Sequence, residues 1–143
     1  MAATPEAINL AIEAARAASD LKATSISAID VSERIVLTDV FVVLSGSTER
    51  QVRSIVDAVE EAVEKAGAKR LRREGLEGEA HWVLLDFGDI MVHVQQDEDR
   101  EYYALEKLWS DCPVIELPED ITADPTGGAS TLRDYFDFTD IGE

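Results

Sequence analysis

The chain has 143 residues and a mass of 15.7 kDa, enough for one domain with a core of its own. Thirteen Lys and Arg stand against 30 Asp and Glu, a formal charge of −17, which argues against a nonspecific grip on nucleic acid or on an anionic membrane surface. A single cysteine, Cys112, excludes an intramolecular disulfide framework and a cysteine zinc cluster, and no apolar run approaches the length of a membrane span. Cys112 reads as a small buried apolar residue. The N-terminus has no basic flank and no apolar signal core, and the lone free thiol suits a reducing cytoplasm, where the protein is expected.

A first helix opens the chain. Thr4 can cap it, Pro5 fits its first position and Glu6 complements its dipole. Ile8, Ala11, Ile12, Ala15, Ala18 and Leu21 recur at three- and four-residue spacing, a slim apolar stripe suited to close packing. Two strands are predicted next, Ser25–Val31 and Val36–Leu44, joined around Ser32-Glu33-Arg34. Val40-Phe-Val-Val-Leu44 is the continuous apolar run of a strand buried on both faces. Ser45-Gly46-Ser47-Thr48 leads into a second helix, capped by Ser47 or Thr48, with Val52, Ile55, Val56, Val59, Ala62, Val63 and Ala66 on its buried side and Gly67 as its stop.

The short charged run Lys69–Arg73 predicts an edge strand, followed by the glycine-rich turn Gly75–Gly78. Trp82–Asp86 and Asp89–Val94 flank Phe87-Gly88, which predicts a hairpin. A last helix is predicted over Arg100–Trp109, capped by Asp97, with Tyr102, Leu105, Leu108 and Trp109 on one stripe. The order αββαβββα describes an α/β domain, a mixed β-sheet packed with helices. That domain is assigned to residues 1–112. Residues 113–143 read as an acidic tail, expected to be flexible; residues 111–143 hold nine acids and one base, Arg133. Arg50–Arg73 runs the other way, with seven bases and four acids.

Three chemistries have candidate residues on these elements. The Ser45–Thr48 turn between a buried strand and a helix resembles an anion site, but no phosphate-loop or dinucleotide glycine pattern is present. A tight turn and a helix cap explain the same residues. Asp86 and Asp89 flank the hairpin turn and could hold a divalent ion, although Asp and Gly are ordinary turn residues. His81 and His93 are the only histidines, and His93 reads as a structural residue on a strand. No catalytic constellation and no metal set emerge. Trp82, Tyr102, Tyr103 and Trp109 fall within 28 residues that also carry Asp86, Asp89, Asp97, Glu98, Asp99, Glu101 and Glu106. Aromatic anchors in an acidic rim suit an interface with a basic partner, and core filling between hairpin and helix explains them equally well.

Four segments taken together resemble the ribosomal silencing factor family, also called Iojap: Asp39–Val52, Glu74-Gly75, Trp82–Val94 and Arg100–Trp109. The match runs from about Ala7 to Trp109 and leaves out the tail. The resemblance implies a fold akin to nucleotidyltransferases without their catalytic acids, hence no enzyme and no cofactor. It implies a homodimer that binds the large ribosomal subunit through ribosomal protein fourteen, blocks joining of the small subunit and represses translation in starvation or stationary phase. It also implies a role in large-subunit assembly among organellar relatives. The partner contact is expected on Trp82, Asp86, His93, Arg100, Tyr102, Tyr103, Leu105, Glu106 and Trp109. Asp39, Ser45, Gly46, Ser47 and Arg50 match the family pattern at the strand-to-helix turn and form a secondary surface candidate. The competing readings are a nucleotidyltransferase-like enzyme using Gly46-Ser47 and Asp86 with Asp89, and a plain dimerisation module.

Overall fold

A computed structural model describes residues 2–125. Helix α1 spans Pro5–Asp20; the Thr4 side chain accepts the Ala7 N–H at 3.1 Å, and Pro5 occupies the first turn as expected. Strand β1 is Ser25–Asp30 and β2 is Val40–Gly46. Helix α2 is Glu49–Lys65, capped by Thr48, whose hydroxyl accepts the Gln51 N–H at 3.1 Å. Strands β3, β4 and β5 are Arg72–Glu74, Trp82–Asp86 and Ile90–Gln96. They form one five-stranded sheet in the order β1-β2-β5-β4-β3. Only the central β2–β5 pair is parallel.

Side-chain alternation divides the sheet into two unlike faces. Val40, Val42 and Leu44 of β2, Ile90, Val92 and Val94 of β5, and Val83 and Leu85 of β4 join α1 and α2 in the main core. Alanines at 7, 11, 14 and 18 let α1 lie close to the sheet, while valines and Ile55 give α2 its buried side. Many of those α2 residues are β-branched, so packing rather than propensity holds the helix. The other face carries Phe41, Val43, Met91 and Trp82. It is covered only in part, by Leu105, Trp109 and Cys112.

The expected order of elements holds and several boundaries move. β2 begins at Val40, not Val36, because its pairing with β1 ends at Asp30↔Val40. Val36 and Leu37 lie in the connecting loop with no strand partner, 98% and 79% exposed. The β4–β5 hairpin forms, but its turn is Gly88-Asp89 and not Phe87-Gly88. The Phe87 N–H bonds the Ile90 carbonyl, β5 starts at Ile90 and Asp86 faces Met91, so Asp86 and Asp89 are not cross-strand partners. β3 is the charged edge strand expected from Lys69–Arg73, set slightly later.

The last helix is not continuous. Ala104 adopts the left-handed conformation (φ 49°, ψ 54°) and splits it into α3, Asp97–Tyr103, and α4, Leu105–Leu108. Nor is Asp97 the cap: Gln96 holds that position without a side-chain bond, and Asp97 accepts from the Thr24 hydroxyl. The break turns Leu105 into the sheet and leaves Tyr102 and Leu108 exposed, so the single expected stripe is divided.

Residues 113–125 run along the domain and do not behave as the loose tail expected from 113. Pro113 accepts the Asp30 N–H, Ile115 donates to Ala28 and Val114 bridges Ile29, which covers the free edge of β1. Further on, Asp120 pairs with Arg16, Thr122 exchanges two hydrogen bonds with Ser19, Ile121 is buried and Asp124 donates to Ala23. Backbone pairing to an otherwise bare edge gives these residues a reason to stay, which their acidic composition hides. The later tail residues, with Leu132, Tyr135, Phe136 and Phe138, lie outside the described residues.

Candidate functional site: the open face of the sheet

The half-covered face carries a chain of touching rings. Tyr102 meets Tyr103 edge-on at 4.9 Å between centroids, and Tyr103 lies 4.7 Å from Trp82. Trp82 and His93 are 6.0 Å apart, His93 and Phe41 4.7 Å, and Phe41 and Trp109 5.2 Å. The Arg34 guanidinium sits 5.1 Å from the Trp109 ring and pairs with Asp111. The row crosses the sheet from α3, over β4, β5 and β2, to the segment after α4. Antiparallel register makes it possible, because Leu84 stands opposite His93 and Trp82 opposite Gln95, all on one face.

Within that row the residues differ sharply in exposure. Tyr102 is 80% and Tyr103 49% exposed, and Trp82 is half-buried. His93 and Leu105 are buried, so they support the face from beneath and do not present themselves to a partner. The Trp82 indole N–H donates to His93 Nδ1 at 3.2 Å, which leaves the histidine proton on Nε2, a buried atom without a partner. Burial pushes the His93 pKa down from 6.5 to about 4, so the ring is neutral and accepts the indole proton.

Arg100 and Glu106 pair at 3.4 Å across the Ala104 break, and Glu106 also accepts from Ser27. They hold α3 and α4 at their angle. Asp86 stands apart from the rings at the far end of β4, where it accepts the Gly88 N–H and faces Arg72 at 3.9 Å. Phe41, Leu84 and Met91 belong to the same face but were not among the residues expected from sequence. The alternation of β2 and β5 carries the signal, since Phe41 pairs with Met91 in register.

The Ser45–Thr48 turn is closed by its own side chains. Ser45 is fully buried and bonds Thr24 and Ser25. The Ser47 N–H donates to Gln51 Oε1 at 2.7 Å and the Gln51 N–H to Thr48, so two donors that would meet an anion are taken. A Cβ on Gly46 would press against Gln51, 3.1 Å from its Oε1. Asp39 accepts the Thr4 N–H, and Arg50 is exposed. Ser45, Gly46 and Ser47 therefore build the strand-to-helix junction and Arg50 lies on the first turn of α2, whereas Asp39, expected at this turn, sits at the opposite end of β2 beside the start of α1.

Asp86 and Asp89 are not joined into a metal set among the described residues. The donor atoms that do converge are those of His81, Glu98 and Asp99, within 4.8 Å of one another at the surface. The His81 pKa is raised by its hydrogen bonds to Asp99 and Glu79.

This is a mixed α/β domain whose sheet is sealed by helices on one side and lined with aromatic side chains on the other. No described helix is long and apolar enough to cross a membrane. The family model described as "Ribosomal silencing factor during starvation" matches residues 4–136. A ribosomal silencing factor RsfS of Halalkalibacterium halodurans is 38% identical over 104 residues, covering 73% of this chain and 88% of that one. The chloroplastic protein Iojap of Zea mays is 32% identical over 117 residues, covering 80% of this chain and 50% of its own. A crystal structure of a protein from Chromobacterium violaceum superposes with a TM-score of 0.68 at 33% identity, covering 71% of this chain and 84% of that one. One from Bacillus halodurans gives 0.65 at 36%, covering 80% and all of that chain. The chain belongs to the ribosomal silencing factor family, whose description is that of a regulatory factor.

Proposed function

We propose that this protein docks its open sheet face on the large ribosomal subunit, through ribosomal protein fourteen, and blocks joining of the small subunit by occupying its place. Translation falls when nutrients do, and no bond is made or broken. The observation that supports this reading is the aromatic row itself, on a chain of charge −17. Exposed Tyr102 and Tyr103 and half-buried Trp82 are the residue types that anchor interfaces. The negative charge of the chain favours a basic surface and speeds encounter with it. A basic protein on an RNA-rich particle satisfies both conditions, while the charge keeps the domain off the RNA.

The site of action is the cytoplasm, and the free form is a homodimer. The self-capped Ser45–Thr48 turn disfavours the nucleotide-binding alternative. Pelleting of purified subunits through a sucrose cushion tests the docking. The protein is expected to travel with large subunits, not with small ones, and to be released as salt rises. Equal recovery with both subunits, or with neither, overturns the assignment.

A further inference from the structure

Against the ring row, and sharing Trp82 and His93 with it, the open face holds a pocket of about 350 Å³, lined also by Glu74, Gly75 and Leu84. Its making is visible in the strand register. Glu74 pairs with Leu84 and Leu84 with His93, so one carboxylate, one aliphatic side chain and one imidazole stand abreast across β3, β4 and β5. Trp82, two residues along β4, supplies an aromatic wall. Gly75 supplies no wall at all. Its φ is +99°, and a Cβ there would lie 2.1 Å from the Trp82 carbonyl oxygen, so only glycine lets β3 end this close to β4.

We propose that this pocket receives an arginine side chain of the partner, its alkyl stem against Leu84 and Trp82 and its guanidinium on Glu74. The proposal deepens the docking reading and takes from it the source of the arginine. At about 350 Å³ the pocket has room for one long side chain and lies at the small end of the range for ligand pockets. A purely apolar side chain would desolvate Glu74 and give nothing back. A guanidinium over an indole gains stacking and cation–π attraction that an ammonium matches less well. Arg72 lies 3.2 Å from Glu74 and would compete, but it also faces Asp86 at 3.9 Å and can turn to it. The neutral imidazole of His93 adds no positive charge to the floor.

The test is a nuclear magnetic resonance titration of the whole chain with N-acetyl-arginine methylamide, following the Trp82 indole N–H, assigned by its loss in Trp82→Phe. A saturable shift is expected with a dissociation constant on the order of 10 mM. Glu74→Gln, at a surface position, is expected to weaken it by about threefold, and the neutral capped norleucine to bind more weakly by a similar factor. No shift, or the same shift with norleucine or in Glu74→Gln, overturns the pocket assignment. The titration involves no ribosome, so the two readings fail separately. If Trp82→Ala abolishes pelleting with large subunits while Glu74→Gln leaves both pelleting and titration unchanged, docking stands and the arginine pocket falls. If the chain never pellets with large subunits yet binds the capped arginine through Glu74, the pocket stands and the docking falls.

Discussion

Trp82→Ala is expected to lower affinity for the large subunit by about 30-fold or more while the domain stays folded. Trp82 is at once the wall of the pocket, the neighbour of Tyr103 at 4.7 Å and the donor to His93. Truncation removes the anchor and leaves a buried acceptor on His93, so some stability is lost as well. Tyr103→Ala is the cleaner companion, because Tyr103 is 49% exposed and belongs to a helix with no buried residue. Sedimentation with large subunits reads the affinity, and circular dichroism reads the fold. Binding at the wild-type level by both folded variants would move the interface elsewhere on the molecule.

Stability is expected to fall by about 2 kcal/mol between pH 7.5 and pH 5 through His93 alone. The direction follows from burial, which pulls the folded-state pKa below the unfolded value of 6.5, to about 4. Below pH 6.5 the unfolded chain takes up a proton that the native ring refuses, so stability drops as pH falls. The loss levels off once the native ring also titrates, near pH 4. His81 acts in the opposite window: its raised pKa contributes stability that is present below 6.5 and lost as pH climbs through the folded value. Urea unfolding at the two pH values, compared with His93→Asn, isolates the effect. Asn keeps an acceptor for the Trp82 indole and does not titrate. An equal pH dependence in wild type and variant would contradict a buried neutral His93.

Much of this fold is legible in the chain because local signals agree with tertiary demands. Thr4 and Thr48 cap helices where their spacing places them, and the apolar run Val40–Leu44 is the buried central strand. The hairpin is legible from the Gly88 turn signal between two apolar runs, but its register is not: the turn falls on Gly88-Asp89, one residue later than the sequence suggests, and that aligns Leu84 with His93. What is not legible depends on contacts distant in sequence. The break at Ala104 has no Gly or Pro to mark it. It is imposed by Leu105 reaching the sheet while Arg100 and Glu106 pair across the bend. Packing of residues 113–125 depends on the bare edge of β1 and on α1, far earlier in the chain, which composition does not reveal.

For the candidate site the aromatic residues are readable and their roles are not. Trp82, Tyr102, Tyr103 and Trp109 stand out by type, yet only register shows that His93 and Leu105 lie beneath the surface and that Phe41 joins the row. Glu74 becomes interesting only when β3 is laid beside β4 and its carboxylate meets Leu84 across the strands. The turn at Ser45–Thr48 shows the reverse case. Its sequence invites an anion, and Gln51, one helical turn later, fills the place.

The central claim is steric exclusion at the subunit interface, and light scattering of subunit joining tests it most directly. Large subunits incubated with the protein and then mixed with small subunits should give less of the joined-particle signal as protein is added, and Trp82→Ala should restore it. Undiminished joining with the large subunit saturated by bound protein would contradict the account.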